Sequence, residues 1–403
     1  MQNYENDLHI FAQSGSHSHG VKSPCCLNMI DGFHVTDNYC LDPMHTLLEG
    51  VVPYELGCVL YQLLSATPRL TTLSQLSNRI RFFFDRNNVD RHNRPPHLNR
   101  IEAPGNGVSP SMKAVQMWAL LRFLPLILGD LIPFDNPYWK FLLYLSELVD
   151  FVFALVLTKG AVCYLRELIA EHLRQFKELF GPSVKLKPKD HILVHIPSAI
   201  LKNGPMVGMS CLRYEMKNSF FKRSAGIVCN FKNISKTLAY RHQYNAFHAR
   251  TSKQFLRNTV YIGNRTSEAL RAGNLEFFSH LCDVVHCDDS DEIVVATQVT
   301  VGSVTYRKGV FLLLTIDEFD VAVFGSVVAL VSLRDSESWY VVMHRYRTSH
   351  FNAHVHAFEV LPINPAQFHV VNFEQLPDRT ALFGCTMCAQ SQKTFLQLAY
   401  HVS

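Results

Sequence analysis

Apolar residues recur at three- and four-residue steps through the first two thirds of the chain, which is the period of an amphipathic helix. The clearest such run follows Asp42 and Pro43, where a capping residue precedes a proline suited to a first helical turn. Pro53 lies inside this run, so we predict a kink or a split there. Similar patterns predict helices over Thr72–Phe84, Met112–Leu128, Pro137–Leu157, Gly160–Phe180, Lys189–Leu201, Cys211–Val228 and Asn230–Arg250.

The pattern changes after about residue 264. Short β-branched and aromatic runs such as EIVVATQVTV and FDVAVFGSVVALVSL are separated by turn residues, which indicates strands. Residues 263–403 are therefore predicted to form a β-rich domain, a small barrel or sandwich. Residues 41–262 form the helical region, and the polar, His- and Ser-rich residues 1–40 are predicted to be irregular. The expected fold class is α+β, mainly helical over its N-terminal two thirds.

The composition predicts a folded protein that is neither secreted nor inserted in a membrane. The chain has 403 residues, of which 48% are hydrophobic and 18% charged, enough to bury a large core. Eleven cysteines at irregular spacing favour reduced thiols over a disulfide framework. No secretory signal is visible at the start, and the longest apolar run, Phe141–Leu157, contains Glu147 and Asp150. We therefore expect a nuclear or cytoplasmic location.

Positive charge is concentrated in one part of the chain. Residues 185–257 contain fourteen Lys and Arg against two acids, Asp190 and Glu215, whereas the whole chain has a net charge of only +4. Aromatic residues are interleaved with these cations, which is typical of a surface that binds a nucleic-acid backbone. The alternative is a core aromatic pair surrounded by solvated lysines. The candidate DNA-binding residues are Arg213, Lys217, Lys222, Arg223, Lys232, Lys236 and Arg241.

Two short motifs contain residue types that bind zinc. Asp42 and His45 lie three residues apart at a predicted helix start, and His191 and His195 lie four apart, a spacing that presents two imidazoles to one ion. Together they supply the four ligands of a closed structural zinc site. The alternatives are that Asp42 only caps a helix and that the two histidines are half-buried on an amphipathic one.

Glu215 is the one acid of the predicted helix Cys211–Val228. A carboxylate among cations can hold Mg²⁺ against a phosphate, as two-metal phosphoryl transfer requires. The alternative is a helix-stabilising ion pair with Arg213 or Lys222. A weaker metal candidate is the lone pair Cys385 and Cys388 with the histidines before it, which are better explained as strand and turn residues.

With these residues assembled, the chain resembles the C-terminal portion of CACTA (En/Spm-type) DDE transposases, especially the animal transposon-derived proteins of that type. The resemblance covers about residues 17–260. It is carried, in order, by HGVKSPCCLNMIDGFHVTDNYCLDPMHTLLEGVVPYEL, KPKDHILVHIPSAILKNGPM, LRYEMKNSFFKR and NFKNISKTLAYRHQ. In that family three acids of an RNase H-like domain bind two divalent metals and drive hydrolysis and strand transfer at transposon ends.

The resemblance implies roles for individual residues. Asp42 and His45 match the family's D-x-x-H motif, His191 and His195 match its histidine pair, and Glu215 matches its third catalytic acid. A structural Zn²⁺ is thereby implied, as are helices belonging to an insertion and to the end of an incomplete RNase H-like core. Mg²⁺ or Mn²⁺ is expected only if a complete active site is assembled.

The family's first two catalytic aspartates precede the segment that begins here at His17. Asp7, Asp31 and Asp37 are available, but none lies in a predicted RNase H-like strand. Because one carboxylate cannot hold two ions in register, we expect a transposase-derived DNA-binding protein, a fragment or domesticated remnant that is inactive alone. The alternatives are a zinc-stabilised protein-interaction module without a DNA role, and an active DDE recombinase, as a homo-oligomer or with a partner chain that supplies the missing aspartates.

Overall fold

The computed structural model describes residues 2–17, 19–87, 91–103, 110–181, 184–252, 260–265, 270–301, 304–318, 321–334, 336, 338–387 and 393–402. Helices fill its N-terminal part and an antiparallel sheet its C-terminal part, as the α+β prediction requires. The helices are α1 (Gln2–Ser14), a π-helix (Met44–Val51), α2 (Val52–Ser65), α3 (Leu73–Asn87), α4 (Ala114–Leu128), α5 (Pro137–Val152), α6 (Lys159–Phe180), α7 (Pro188–Leu193), α8 (Ile196–Asn203), α9 (Leu212–Val228), α10 (Ile234–Thr251) and α11 (Phe278–Val285).

The C-terminal part is one antiparallel sheet, with ten strands among the residues that are described. They are β1 (Val260–Arg265), β2 (Leu270–Arg271), β3 (Glu292–Val301), β4 (Val304–Arg307), β5 (Phe311–Ile316), β6 (Ala322–Leu333), β7 (Tyr340–Asn352), β8 (Ala357–Pro362), β9 (Phe368–Asn372) and β10 (Thr394–Leu396). The main path runs β1-β3-β6-β7-β8-β10; β2 and β4 pair with β3, β5 with β6, and β9 with β7. The prediction of a barrel or sandwich stays a prediction.

The helical part has a large apolar core. Helix α4 is apolar on nearly every side and is buried along most of its length, and the π-helix, α2, α3 and α5 pack around it. Two stretches, Met44–Ser65 and Ala114–Leu131, are long and apolar enough to cross a membrane by length and composition, but both are 67% buried inside the fold. That burial is what core helices show.

The turn between β7 and β8 is inserted into the helical core. The Trp139 Nε1–H of α5 donates to the carbonyl of His354 (2.9 Å), and His354 Nε2 donates to the carbonyl of Gly129 (2.9 Å). A Cβ on Gly129 would lie 2.7 Å from Cγ1 of Val355, so this approach depends on glycine. The predicted regions 41–262 and 263–403 therefore share one core.

The prediction that residues 1–40 are irregular is wrong for α1. Tyr4, Leu8 and Phe11 recur at i, i+4 and i+7, a short apolar period that indicates a helix, although Tyr4 alone is buried among its described residues. The Tyr4 hydroxyl accepts the N–H of Cys25 (2.7 Å), and the ring of Tyr4 meets His34 edge-on at 5.4 Å. These contacts hold α1 against the residues that follow it.

Candidate metal and nucleic-acid site

The candidate site begins at the helix break that a proline predicts. Pro53 has no N–H, and in a continuous helix its ring would clash with the carbonyl of Glu49, four residues earlier. Glu49 adopts φ −113° and ψ 15°, outside the helical range, and the segment before α2 is a π-helix. π-Helical turns are rare in proteins, and those that do occur are often found at functional sites. The π-helix buries Leu47 and Leu48 and leaves His45 exposed.

Lys189 of α7 donates a hydrogen bond to the carbonyl of Glu49, which Pro53 leaves without a helical partner. Its Nζ donates to the carbonyl oxygens of His45 (2.7 Å) and Glu49 (3.0 Å). A Cβ on Gly50 would lie 2.3 Å from Lys189 Cδ, so glycine is needed for this close approach. Sequence reasoning missed this positioning role of Lys189; the signal for it was the proline four residues after Glu49.

Asp42 connects the π-helix to the start of α9. Its Oδ1 accepts the N–H groups of Met44 (3.1 Å) and Cys211 (3.0 Å), and its Oδ2 is hydrogen-bonded to His45 Nδ1. Partial burial alone would raise the pKa of Asp42, but the hydrogen bonds from Cys211, His45 and Met44 outweigh burial and lower it. Asp42 therefore carries a negative charge at neutral pH while it caps one helix and holds the beginning of another.

His45 lies among three carboxylates. Besides its Nδ1 bond to Asp42, its Nε2 is 3.4 Å from Glu215 Oε1 and 3.8 Å from Glu49 Oε2. The hydrogen bond to Asp42 raises the pKa of His45; partial burial opposes this, and the charges of Glu49 and Glu215 add to it. The imidazole side chain is 47% exposed, so solvent weakens these charge interactions. The arrangement concentrates negative charge where a cation can bind.

Asp42, His45 and Cys211 form a group of potential metal ligands. One carboxylate oxygen, one imidazole nitrogen and the Cys211 Sγ all lie within 4.8 Å of one another. Carboxylate, imidazole and thiolate are all ligands of zinc. Burial raises the pKa of the Cys211 thiol, as do Asp42 and Glu215, so a bound metal would have to displace a proton from sulfur.

The structure places the predicted ligands in two pairs. Among the described residues, the one group of three or more potential ligands is Asp42, His45 and Cys211, so His191 and His195 do not complete it. The two histidines do meet each other, with their Nε2 atoms 3.2 Å apart and their rings edge-to-face. A four-ligand site made of both pairs stays a prediction.

The helix predicted over Lys189–Leu201 is in fact two short helices. α7 ends at Leu193 and α8 begins at Ile196, with His195 as its capping residue. Pro197 is the cause, because it cannot donate an N–H and its ring excludes a helical carbonyl at Leu193, four residues earlier. The two histidines therefore come from either side of a break.

Sequence reasoning missed Cys211 as a candidate ligand. It precedes Glu215 by four residues at the start of α9, a spacing that puts both side chains on one helix face. That spacing was the available signal. Of the C-terminal pair, Cys385 is buried, and Cys388 lies outside the described residues.

Helices α9 and α10 form a hairpin that contributes little to the core. Over their described lengths α9 buries only Ser224 and α10 buries no residue. Lys217 Nζ lies 5.1 Å from the ring centre of Phe220, and Lys236 Nζ lies 5.8 Å from that of Tyr240. All seven predicted DNA-binding cations are exposed: Arg213, Lys217, Lys222, Arg223, Lys232, Lys236 and Arg241.

The same hairpin exposes large apolar side chains. Phe220 and Phe221 pack on each other at 5.5 Å, and Phe221 meets His242 of α10 at 5.8 Å, so this aromatic pair joins the two helices. Other large side chains are between 55% and 72% exposed: Tyr214, Met216, Ile227, Phe231, Tyr240, Tyr244 and Phe247. Large apolar side chains exposed in this number on one hairpin favour an interaction site.

Comparison of the chain with protein-family models, curated proteins and solved structures gives no match. A function must therefore be argued from the chemistry of the site. Two features adjoin there: a cluster of acidic and metal-ligating side chains, and the cationic hairpin that begins beside it at Cys211 and Glu215.

Proposed function

We propose that this chain is a transposase-derived protein that binds DNA through the α9–α10 hairpin and holds a divalent metal ion at Asp42, His45 and Cys211. The observation that carries the proposal is the exposure of seven Lys and Arg side chains, six of them on two helices that bury almost nothing and Lys232 in the turn between these helices. Core packing does not account for such helices. A polyanion that spreads along the hairpin does.

The metal cluster lies at the end of this cationic surface. Glu215 stands in the first turn of α9, 3.4 Å from His45 Nε2. A divalent cation at this position would add positive charge next to a bound phosphate. In the proposed ancestry Glu215 is the third acid of an RNase H-like core, and the helices before it belong to that family's insertion.

Hydrolysis by this chain alone is not part of the proposal. Two-metal catalysis needs several carboxylates in register. Asp42, the carboxylate of the cluster itself, already accepts backbone N–H groups from Met44 and Cys211. That geometry suits one structural cation better than a pair of catalytic ions.

The salt dependence of DNA binding tests the hairpin. Each lost phosphate contact reduces the slope of log K against log salt by about 0.9. The triple variant Lys217→Ala, Lys222→Ala, Arg223→Ala should therefore bind duplex DNA more weakly and lower that slope by up to about 2.7.

The matched control removes three exposed cations from other elements, Arg69, Lys159 and Lys177. This control should leave the slope unchanged, and neither triple variant should alter thermal stability, because every replaced side chain is exposed. If the hairpin variant keeps the parent's slope, the hairpin does not contact DNA.

The exposed apolar side chains favour a second candidate, a module that binds another protein. Tyr and Phe rings can stack on bases, but Met216 and Ile227 cannot, and they are 72% and 71% exposed. Sedimentation of the parent and of Met216→Ser, Ile227→Ser distinguishes the two. Self-association that this variant abolishes, in a protein that does not bind DNA, would establish the second candidate over the first.

A further inference from the structure

A cavity of about 940 Å³ lies between α5 and the sheet, on elements other than the hairpin. Its volume is within the usual range for small-molecule sites. Helix α5 contributes Tyr144, Glu147 and Asp150, which its period places on one face. The turn after β7 contributes His356, and the C-terminal segment contributes His401. Most of the remaining wall is apolar.

Two half-buried carboxylates face this cavity. Glu147 Oε1 accepts a hydrogen bond from the Tyr164 hydroxyl (2.7 Å), and Asp150 Oδ2 is bonded to His356 Nε2 (2.8 Å). Partly buried carboxylates are costly unless a cation or hydrogen-bond donors satisfy them.

The other titratable groups of the cavity supply little permanent positive charge. Lys140 lies at the exposed rim. Burial lowers the pKa of His401, which is therefore neutral at pH 7, and its ring stacks on Phe151 at 4.1 Å. The lining thus has two acids against one rim lysine and His356.

His356 is held in an unusual backbone conformation. Its φ of 51° is in the left-handed region, which few residues other than glycine adopt. Such residues persist where their surroundings hold them, and they cluster at ligand sites. Here the conformation brings the imidazole to Asp150 and sets it edge-on to Phe351 at 5.5 Å.

Aromatic rings line the wall beside the carboxylates. Phe351 and Phe358 lie 5.0 Å apart, and Tyr144 lines the cavity from α5. Among the described residues no third metal ligand joins Asp150 and His356, which argues against a metal ion. Aromatic faces next to carboxylates suit an organic ammonium group. We propose that this cavity binds an organic cation with an apolar body, its ammonium group held by Glu147 and Asp150 and its body by Phe351 and Phe358.

This binding should depend on pH through His356. Burial disfavours protonation of His356, but the hydrogen bond to Asp150 and the charges of Asp150 and Glu147 outweigh burial, so its pKa is raised. A protonated His356 already neutralises Asp150 and competes with a second cation. Affinity for the cation should therefore increase as pH rises through the pKa of His356.

Titration calorimetry with octyltrimethylammonium tests the proposal, with octanoate and octanol as anionic and neutral probes of the same chain length. The cation should bind one to one and at least about tenfold more tightly than either control, since a charge contact near a protein surface easily supplies that ratio. Equal affinity for the three probes would show an apolar void and would overturn the proposal.

Two variants locate the cation. Glu147→Gln, which can still accept the Tyr164 hydroxyl, should weaken octyltrimethylammonium binding by about tenfold. Glu178→Gln, on the exposed face of α6, should leave this binding unchanged. His356→Asn, a residue that tolerates the left-handed region, should abolish the pH dependence of binding. A Glu147→Gln protein that melts like the parent and binds with unchanged affinity would refute the site, as would a parent affinity that falls as pH rises.

Discussion

Replacing Glu55 by leucine should destabilise the helical core strongly. Glu55 of α2 and His172 of α6 are both fully buried, with Glu55 Oε2 2.7 Å from His172 Nε2. The imidazole also stacks on Phe141 at 4.7 Å. Burial raises the pKa of Glu55, and His172 opposes this shift. The pair joins two core helices through a single polar contact.

The expected magnitude follows from what Glu55→Leu leaves behind. Removing one member of a buried pair costs about 3–5 kcal/mol because the other remains buried without a partner. His172 Nδ1 already has no hydrogen-bond partner among the described residues, so the variant would leave the whole ring unsatisfied. Leucine is close to glutamate in volume, which keeps the cavity contribution small.

Urea unfolding at pH 7, followed by circular dichroism, measures the unfolding free energy of each variant. Glu55→Leu should lose about 3–5 kcal/mol of unfolding free energy, whereas Glu55→Leu with His172→Phe should recover most of it, since an apolar replacement of both members is often neutral or better. Glu178→Leu, on the exposed face of α6, should change stability by less than about 0.5 kcal/mol. A single variant within about 1 kcal/mol of the parent, or a double variant as unstable as the two singles combined, would refute the reasoning.

Three further predictions concern the metal, pH and packing. Zinc bound by dialysed protein, measured by elemental analysis, should be lost in Cys211→Ala and retained in His191→Ala; the reverse would favour the histidine pair. The His356 interaction stabilises the fold below about pH 6.5, the usual histidine pKa, and is lost as pH rises through its raised folded pKa. The unfolding free energy of the parent relative to His356→Asn should thus fall from pH 6 to 9, and a constant difference would contradict this. Gly129→Ala should cost about 1–3 kcal/mol in thermal unfolding through its clash with Val355; an unchanged melting temperature would show that the turn relaxes.

Local signals predicted much of the fold. The apolar period located the core helices, and the missing N–H of Pro53 predicted the break before α2. Pro197 carries the same signal and places the end of α7 at Leu193, whereas the apolar pattern predicts one continuous helix over Lys189–Leu201. Helix α1 has such an apolar period in Tyr4, Leu8 and Phe11, which the prediction of an irregular segment overlooked. Its position, by contrast, depends on contacts of Tyr4 with Cys25 and His34, which no local period encodes.

The candidate site was only partly predictable. Spacing alone paired Asp42 with His45 and His191 with His195, and both pairs are in contact. The approach of Cys211 and Glu215 to the pair Asp42 and His45 depends on tertiary structure. The approach of Glu215 to His45 joins segments 170 positions apart, and no local period encodes it. The many cations of the hairpin sequence indicated its exposure, because a helix with charged residues on every side has no apolar face to bury.

Asp42 links the two halves of the proposed function. One oxygen holds the N–H of Cys211, at the start of the hairpin, and the other binds His45 of the metal group. The start of the cationic helices is therefore attached to the cluster through one carboxylate. A metal that replaces the proton shared around His45 would leave the Cys211 N–H bond to the other oxygen in place. The hairpin can thus stay fixed whether the cluster holds a proton or a metal, which is the behaviour expected of a structural ion next to a DNA-binding surface.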